Sequence, residues 1–137
     1  MALPSWPQLL RMLARLASAL KGEQRWHVEA HQFRIDTPDG IGRPAPEGAH
    51  RDGVDFVAVV LVARHAIKGG ETRVFDAVGA QGIRFTLTEP WSALLLDDER
   101  VIHESTPIHP VDAAAAAPGR RDTLVITLRA RAFQDAT

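Results

Sequence analysis

The hydrophobic periodicity of this chain changes once, near residue 25, and that change limits the fold more than any other feature. Before it, Leu9, Leu13, Leu16 and Leu20 recur at alternating steps of four and three, which places them on one stripe of a helix ending near Gly22. From Trp26 onward, short segments rich in β-branched and aromatic residues alternate with Gly, Pro and Asp clusters. The expected architecture is mainly β, with an N-terminal α-helix packed on a sheet. Strands are predicted over 26–36, 54–64, 72–77, 83–88, 93–97, 100–104 and 122–131, with loops at 37–48, at Gly69-Gly70 and at 112–119. Val54 to Ala63 is apolar on both faces apart from Asp55, as a central strand covered on both sides requires. Near the C-terminus Leu124, Ile126 and Leu128 alternate with Thr123, Val125 and Thr127, so one face of that strand suits a barrel with a polar cavity.

Composition narrows the functions such a barrel can carry. A chain of 137 residues with 45% hydrophobic content can build one core, so a single domain over 1–137 is expected, with 1–24 as helix and link and 25–133 as the β core. Sixteen Lys and Arg nearly cancel seventeen Asp and Glu, leaving no field to draw in nucleic acid or an anionic membrane. The absence of cysteine rules out disulfides, thiolate metal sites and thiol nucleophiles, and any metal must be held by His and carboxylate. No apolar run approaches the roughly 20 residues that cross a bilayer, and no secretory signal is evident. A cytoplasmic location is expected. Residues 1–22 carry Arg11, Arg15 and Lys21 with no acidic group, a pattern that transit peptides share with ordinary surface helices.

One short motif carries metal chemistry. In Glu47-Gly-Ala-His50-Arg51-Asp52-Gly53 a histidine and a carboxylate stand two residues apart, and on extended backbone residues i and i+2 project from one side. His103, directly after the apolar pair Val101-Ile102, is the best third ligand. Two histidines and one carboxylate on one face of an octahedron leave three positions open, as in non-haem iron(II) oxygenases, although the short pattern also suits zinc or manganese. Further on, Arg121 offers a planar fork that matches a carboxylate, and Thr123 at i+2 presents a hydroxyl on the same face.

Several segments in register make the pattern more specific: His31-Gln-Phe-Arg-Ile35, Pro46-Glu-Gly-Ala-His-Arg-Asp-Gly-Val-Asp-Phe56, Gly69-Gly-Glu71, Leu96-Asp-Asp-Glu-Arg-Val-Ile-His103, Thr106-Pro-Ile108 and Gly119-Arg-Arg-Asp-Thr-Leu-Val125. Over residues 26–130 the chain resembles the bacterial 2-oxoglutarate/Fe(II) dioxygenases of the L-isoleucine 4-hydroxylase type, which act on free amino acids. The resemblance implies a double-stranded β-helix (jelly roll), His50, Asp52 and His103 as iron ligands, and Arg121, with Thr123 beside it, as the 2-oxoglutarate anchor. It also implies iron(II), 2-oxoglutarate and O2 as cofactor and cosubstrates, and a free L-amino acid or related small molecule as substrate. Gln32 and Arg34 share a strand face and are the candidate substrate contacts.

The chain departs from that family in the short region before the His31 strand, where members carry a longer segment that walls the pocket. A homo-oligomeric partner or a larger substrate can complete such a site. Two other readings stay open: a cupin-like metalloenzyme that does not use 2-oxoglutarate, and a truncated relative that binds metal or metabolite and acts through partner contacts. Phe33, Phe56, Phe75 and Phe85 are expected in the core, and Trp6, Trp26 and Trp91 at sheet edges or the pocket mouth. Glu71 reads as a turn carboxylate, and His27, His31, His65 and His109 as structural or exposed.

Overall fold

The computed structural model describes residues 6–115 and 117–131. Helix α1 spans Trp6–Lys21 and stops where Gly22 turns to φ 93°, with the Gly22 N–H donating to Ser18 O at 2.8 Å. Nine strands follow: β1 His27–Asp36, β2 Phe56–His65, β3 Ile67–Gly69, β4 Thr72–Asp76, β5 Gly82–Phe85, β6 Ala93–Asp97, β7 Val101–Ser105, β8 Ile108–Pro110 and β9 Arg120–Arg129. They form three antiparallel sheets, ordered β1-β9-β2-β6, β5-β4-β7 and β3-β8. The seven predicted strands are all present, with no end displaced by more than three residues. The two short strands β3 and β8 escaped prediction, because three residues are too few to show an alternation and each is flanked by turn residues.

Two apolar layers hold the assembly together, one on each face of the four-stranded sheet. On the outer face Leu13 and Ala17 of α1 meet Phe56, Ala58, Ile126 and Leu128. On the inner face Val57, Val59, Leu94, Leu96 and Val125 meet Val54, Val74, Phe85 and Val101, so β4 and β7 lie across from β2, β6 and β9. This is the jelly roll with a helix packed on its sheet. The both-sides-apolar character of the Val54 segment follows, because β2 is covered by the helix on one side and the second sheet on the other. Asp55, the exception in that segment, sits just before β2, accepts the Ala130 N–H at 2.9 Å and lies 3.5 Å from Lys21 Nζ.

Two expectations are corrected. The buried stripe of α1 runs through Leu9, Leu10, Leu13 and Ala17, while Leu16 and Leu20 are 46% and 66% exposed. Small Ala17 lets the helix approach the sheet more closely than a leucine would, and that rotates the contact face. Phe33 is 46% exposed instead of buried, because β1 is the edge strand and no element of the second sheet covers it. Trp26 does cover the sheet, donating from its ring to Ser18 Oγ at 3.0 Å and meeting Phe56 edge-on at 5.8 Å.

Candidate metal centre

His50 and His103 are brought together by backbone. The His50 N–H donates to His103 O at 2.9 Å and the His103 N–H returns to His50 O at 3.0 Å, making them an antiparallel pair directly opposite one another. Opposed residues project to one side, so their rings lie 4.6 Å apart. Asp52, two residues after His50, reaches the same point: Oδ1 is 3.7 Å from His50 Nε2 and Oδ2 is 3.5 Å from His103 Nε2. Ligating atoms of the three side chains fall within 4.8 Å of one another.

The loop bearing Asp52 is held by a buried carboxylate. Asp98, 1% exposed, accepts the Asp52 N–H at 3.1 Å through Oδ1, and the Gly53 and Val54 N–H groups at 2.8 and 3.0 Å through Oδ2. Three converging donors satisfy an ion that would otherwise be costly to bury. Gly53 stands at φ 78°, a conformation that favours glycine, which lets the chain curl around this carboxylate. On the other side His50 Nδ1 lies 2.9 Å from Gly48 O, so an N–H there leaves Nε2 facing Asp52.

Electrostatics fit a cation. Burial lowers the His103 pKa below its ordinary value, with Asp52 opposing, so its imidazole is neutral and offers a lone pair. Burial likewise raises the Asp52 carboxyl, although the two histidines pull it down. A cation among these groups offsets both desolvation costs. Asp and His ligands with no thiolate suit iron(II), and three side chains leave positions for other ligands.

The three candidate ligands and Arg121 look into one interior. His103 pairs directly with Val74, and Val74 packs against the inner face of the main sheet. Val125 is on that inner face, so Thr123 and Arg121, two and four residues before it, are there as well. Arg121 is 5% exposed and Thr123 4%. The same alternation assigns β1: His31, Phe33 and Ile35 oppose Val125, Thr123 and Arg121, whereas Gln32 and Arg34 oppose Leu124 and Asp122. Gln32 and Arg34 therefore project from the outer face, away from the three ligands. There Arg34 grips Asp122 with two bonds, Nε to Oδ1 at 2.7 Å and Nη2 to Oδ2 at 3.0 Å. The signal that finds His31 and Phe33 instead is the parity of β9, which becomes usable only once the β1 register is known.

Other polar groups are engaged elsewhere. Glu71 accepts from Arg73 Nε at 2.8 Å, and Arg73 also reaches Glu104 at 3.4 Å. A cavity of about 600 Å³ opens near Lys21, Arg51, Asp55 and Glu99, but Lys21 is already paired there with Asp55, Asp97 and Glu99. No helix among the described residues is long and apolar enough to cross a membrane.

A jelly roll whose paired strands bring two histidines and one carboxylate to a single point belongs to the mononuclear metal class of β-barrels. Comparison with known proteins narrows this: a family model for 2OG-Fe dioxygenases matches residues 1–127, and the chain belongs to that family. Among solved structures, a bsmA homolog from Methylobium petroleophilum PM1 is 60% identical with a TM-score of 0.90, over 98% of this chain and 54% of its own. IDO from Bacillus thuringiensis shares 18% identity at TM-score 0.71, over 91% of this chain and 58% of its own. The Fe(II)/(alpha)ketoglutarate-dependent dioxygenase TqaL shares 19% at 0.69, over 91% and 54%. The last two share the fold. No curated protein matches the sequence. The chain thus spans little more than half the length of the solved neighbours it matches. The family's chemistry uses iron(II), 2-oxoglutarate and O2, and the donor set fits it.

Proposed function

We propose that the chain is the catalytic domain of an iron(II)- and 2-oxoglutarate-dependent dioxygenase that hydroxylates a free L-amino acid or a closely related small molecule. In this reading His50, Asp52 and His103 hold the metal, and Arg121 with Thr123 holds the far carboxylate of the cosubstrate. With iron bound, 2-oxoglutarate, O2 and a C–H substrate yield succinate, CO2 and the hydroxylated product.

One observation carries the reading: the three candidate ligands face the same interior as a buried guanidinium that has no carboxylate partner among the described residues. A cupin-like reaction without 2-oxoglutarate has no use for such a cation. His31 and Phe33 line the same face beside Thr123 and are the residues this reading assigns to the substrate side, in place of Gln32 and Arg34. The small-molecule class is supported by the family match and by the near-balance of charge, which gives a polyanion no purchase. An amino acid is the choice because its charged groups suit the polar side chains of this inner face, Thr123 and His31 among them.

The half-length match favours one second reading. In it the chain binds metal and 2-oxoglutarate without turnover, since the inner face of β1 is open where a longer relative or a partner subunit can close it. Succinate release decides between them. The protein is incubated with iron(II), ascorbate, 2-oxoglutarate and a panel of L-amino acids. The proposal expects succinate above the substrate-free rate for at least one amino acid, abolished by His103→Ala. Binding of iron and 2-oxoglutarate with no succinate over the panel favours the second reading.

A further inference from the structure

We propose that Arg64 is a second anion anchor, which closes with Arg121 on the terminal carboxylate of the dicarboxylate cosubstrate as a two-guanidinium clamp. The inference rests on the dioxygenase reading above and adds a residue to it.

The clamp is produced by a β-bulge. Along β2, Val57, Val59 and Leu61 face inward and Phe56, Ala58 and Val60 outward, and unbroken alternation would turn residue 64 outward as well. The register slips between Leu61 and Ala63, so Ala63 opposes Asp122 and Arg64 opposes Arg121. Arg64 thereby joins Arg121 on the inner face. Like charges directly opposite each other in a sheet are destabilising, and among the described residues neither guanidinium has a carboxylate partner.

The two side chains are prepared for an anion, not for each other. Arg64 Nη2 is held by Gly69 O at 2.8 Å, which fixes the fork, while Arg64 Nη1 and Arg121 Nε are buried with no hydrogen-bond partner among the described residues. Burial lowers the pKa of both, and for Arg121 the neighbouring Arg64 lowers it further. Both remain charged at neutral pH all the same, since a guanidinium does not give up its proton in proteins. Beside them Gly70 keeps space open: a Cβ there would sit 3.3 Å from Arg64 Nη1 and 3.8 Å from Arg121 Cδ. Two forks with free N–H groups match the four lone-pair sites of one carboxylate.

Binding is measured calorimetrically under anaerobic conditions on the full chain loaded with manganese(II), using 2-oxoglutarate and 2-oxobutanoate, which lacks the far carboxylate. Arg64→Met is expected to weaken 2-oxoglutarate about 10- to 100-fold, the effect of losing charged hydrogen bonds to one group. Its affinity for 2-oxobutanoate should stay within about twofold of wild type. Arg64→Lys, which keeps the charge and loses the fork, should fall between them and serves as the test if the methionine variant does not fold. Unchanged 2-oxoglutarate affinity in both variants overturns the clamp and leaves the dioxygenase reading standing. Equal weakening for both ligands makes Arg64 merely structural and also overturns it. If wild type fails to bind 2-oxoglutarate at all, the dioxygenase reading fails first and takes the clamp with it.

Discussion

Asp98→Asn is the substitution that most sharply tests how the metal loop is built. The side chain keeps its shape, but one carboxylate oxygen becomes an NH2 group and the negative charge goes. The carboxylate accepts from Asp52, Gly53 and Val54 at 2.8 to 3.1 Å in a place only 1% exposed. An amide oxygen can keep the Gly53 and Val54 pair or the single Asp52 bond, and its NH2 then points at an N–H it cannot accept from. Hydrogen bonds to a charged group are worth about 1.5–3 kcal/mol each, so losing one or two costs about 2–4 kcal/mol. For a domain of this size that is a fall in Tm of about 10 °C. Because the Asp52 backbone loses its tether, metal affinity should also drop, by about 10- to 100-fold, as when an outer partner of a ligand is removed. The assays are thermal unfolding of the metal-free protein and competitive manganese(II) titration. Wild-type values in both would refute the claim that this carboxylate fixes the loop.

Other variants probe the scaffold. Asp122 has its carboxyl pKa held below the ordinary value of 3.8, chiefly by the hydrogen bond from Arg34. A depressed folded-state pKa adds stability that is present above 3.8 and lost as the pH falls through the folded value. Asp122→Asn should therefore flatten the acid limb of the stability curve, and an unchanged limb would contradict the pairing. Ile126→Ala opens a cavity between α1 and the sheet at a side chain with 0% exposure, costing about 2–5 kcal/mol in denaturant titration. Its metal affinity should be unchanged while it is folded, since Ile126 faces away from the ligands.

The fold was largely legible because its main signals are local. The break in period near residue 25, the doubly apolar β2 and the clean alternation of β9 each follow from neighbouring residues alone. The candidate ligands could be grouped for the same reason in part, since His50 and Asp52 share a face by adjacency, whereas His103 is singled out by its place after the apolar Val101-Ile102 pair and meets them only through a backbone bridge. What failed depended on register between distant strands. Gln32 and Arg34 were correctly placed on one face, but which face looks inward is set by pairing with β9, some ninety residues away in sequence, and it is the other one. Arg64 was invisible because a single bulge reverses the parity that alternation would assign it. Asp98 gave no signal either: a carboxylate in Asp97-Asp98-Glu99 reads as surface charge until the loop folds over it. Leu16 and Leu20 misled for a related reason, as the helix docks through small Ala17, which a search for leucine spacing passes over.

The most direct measurement is an anaerobic titration of the iron(II)-loaded protein with 2-oxoglutarate, followed in the visible spectrum. A metal-to-ligand charge-transfer band should grow to saturation at one equivalent per chain, vanish in His50→Ala, and require far more 2-oxoglutarate in Arg121→Met. Iron that binds tightly with no band at any 2-oxoglutarate concentration would contradict the account.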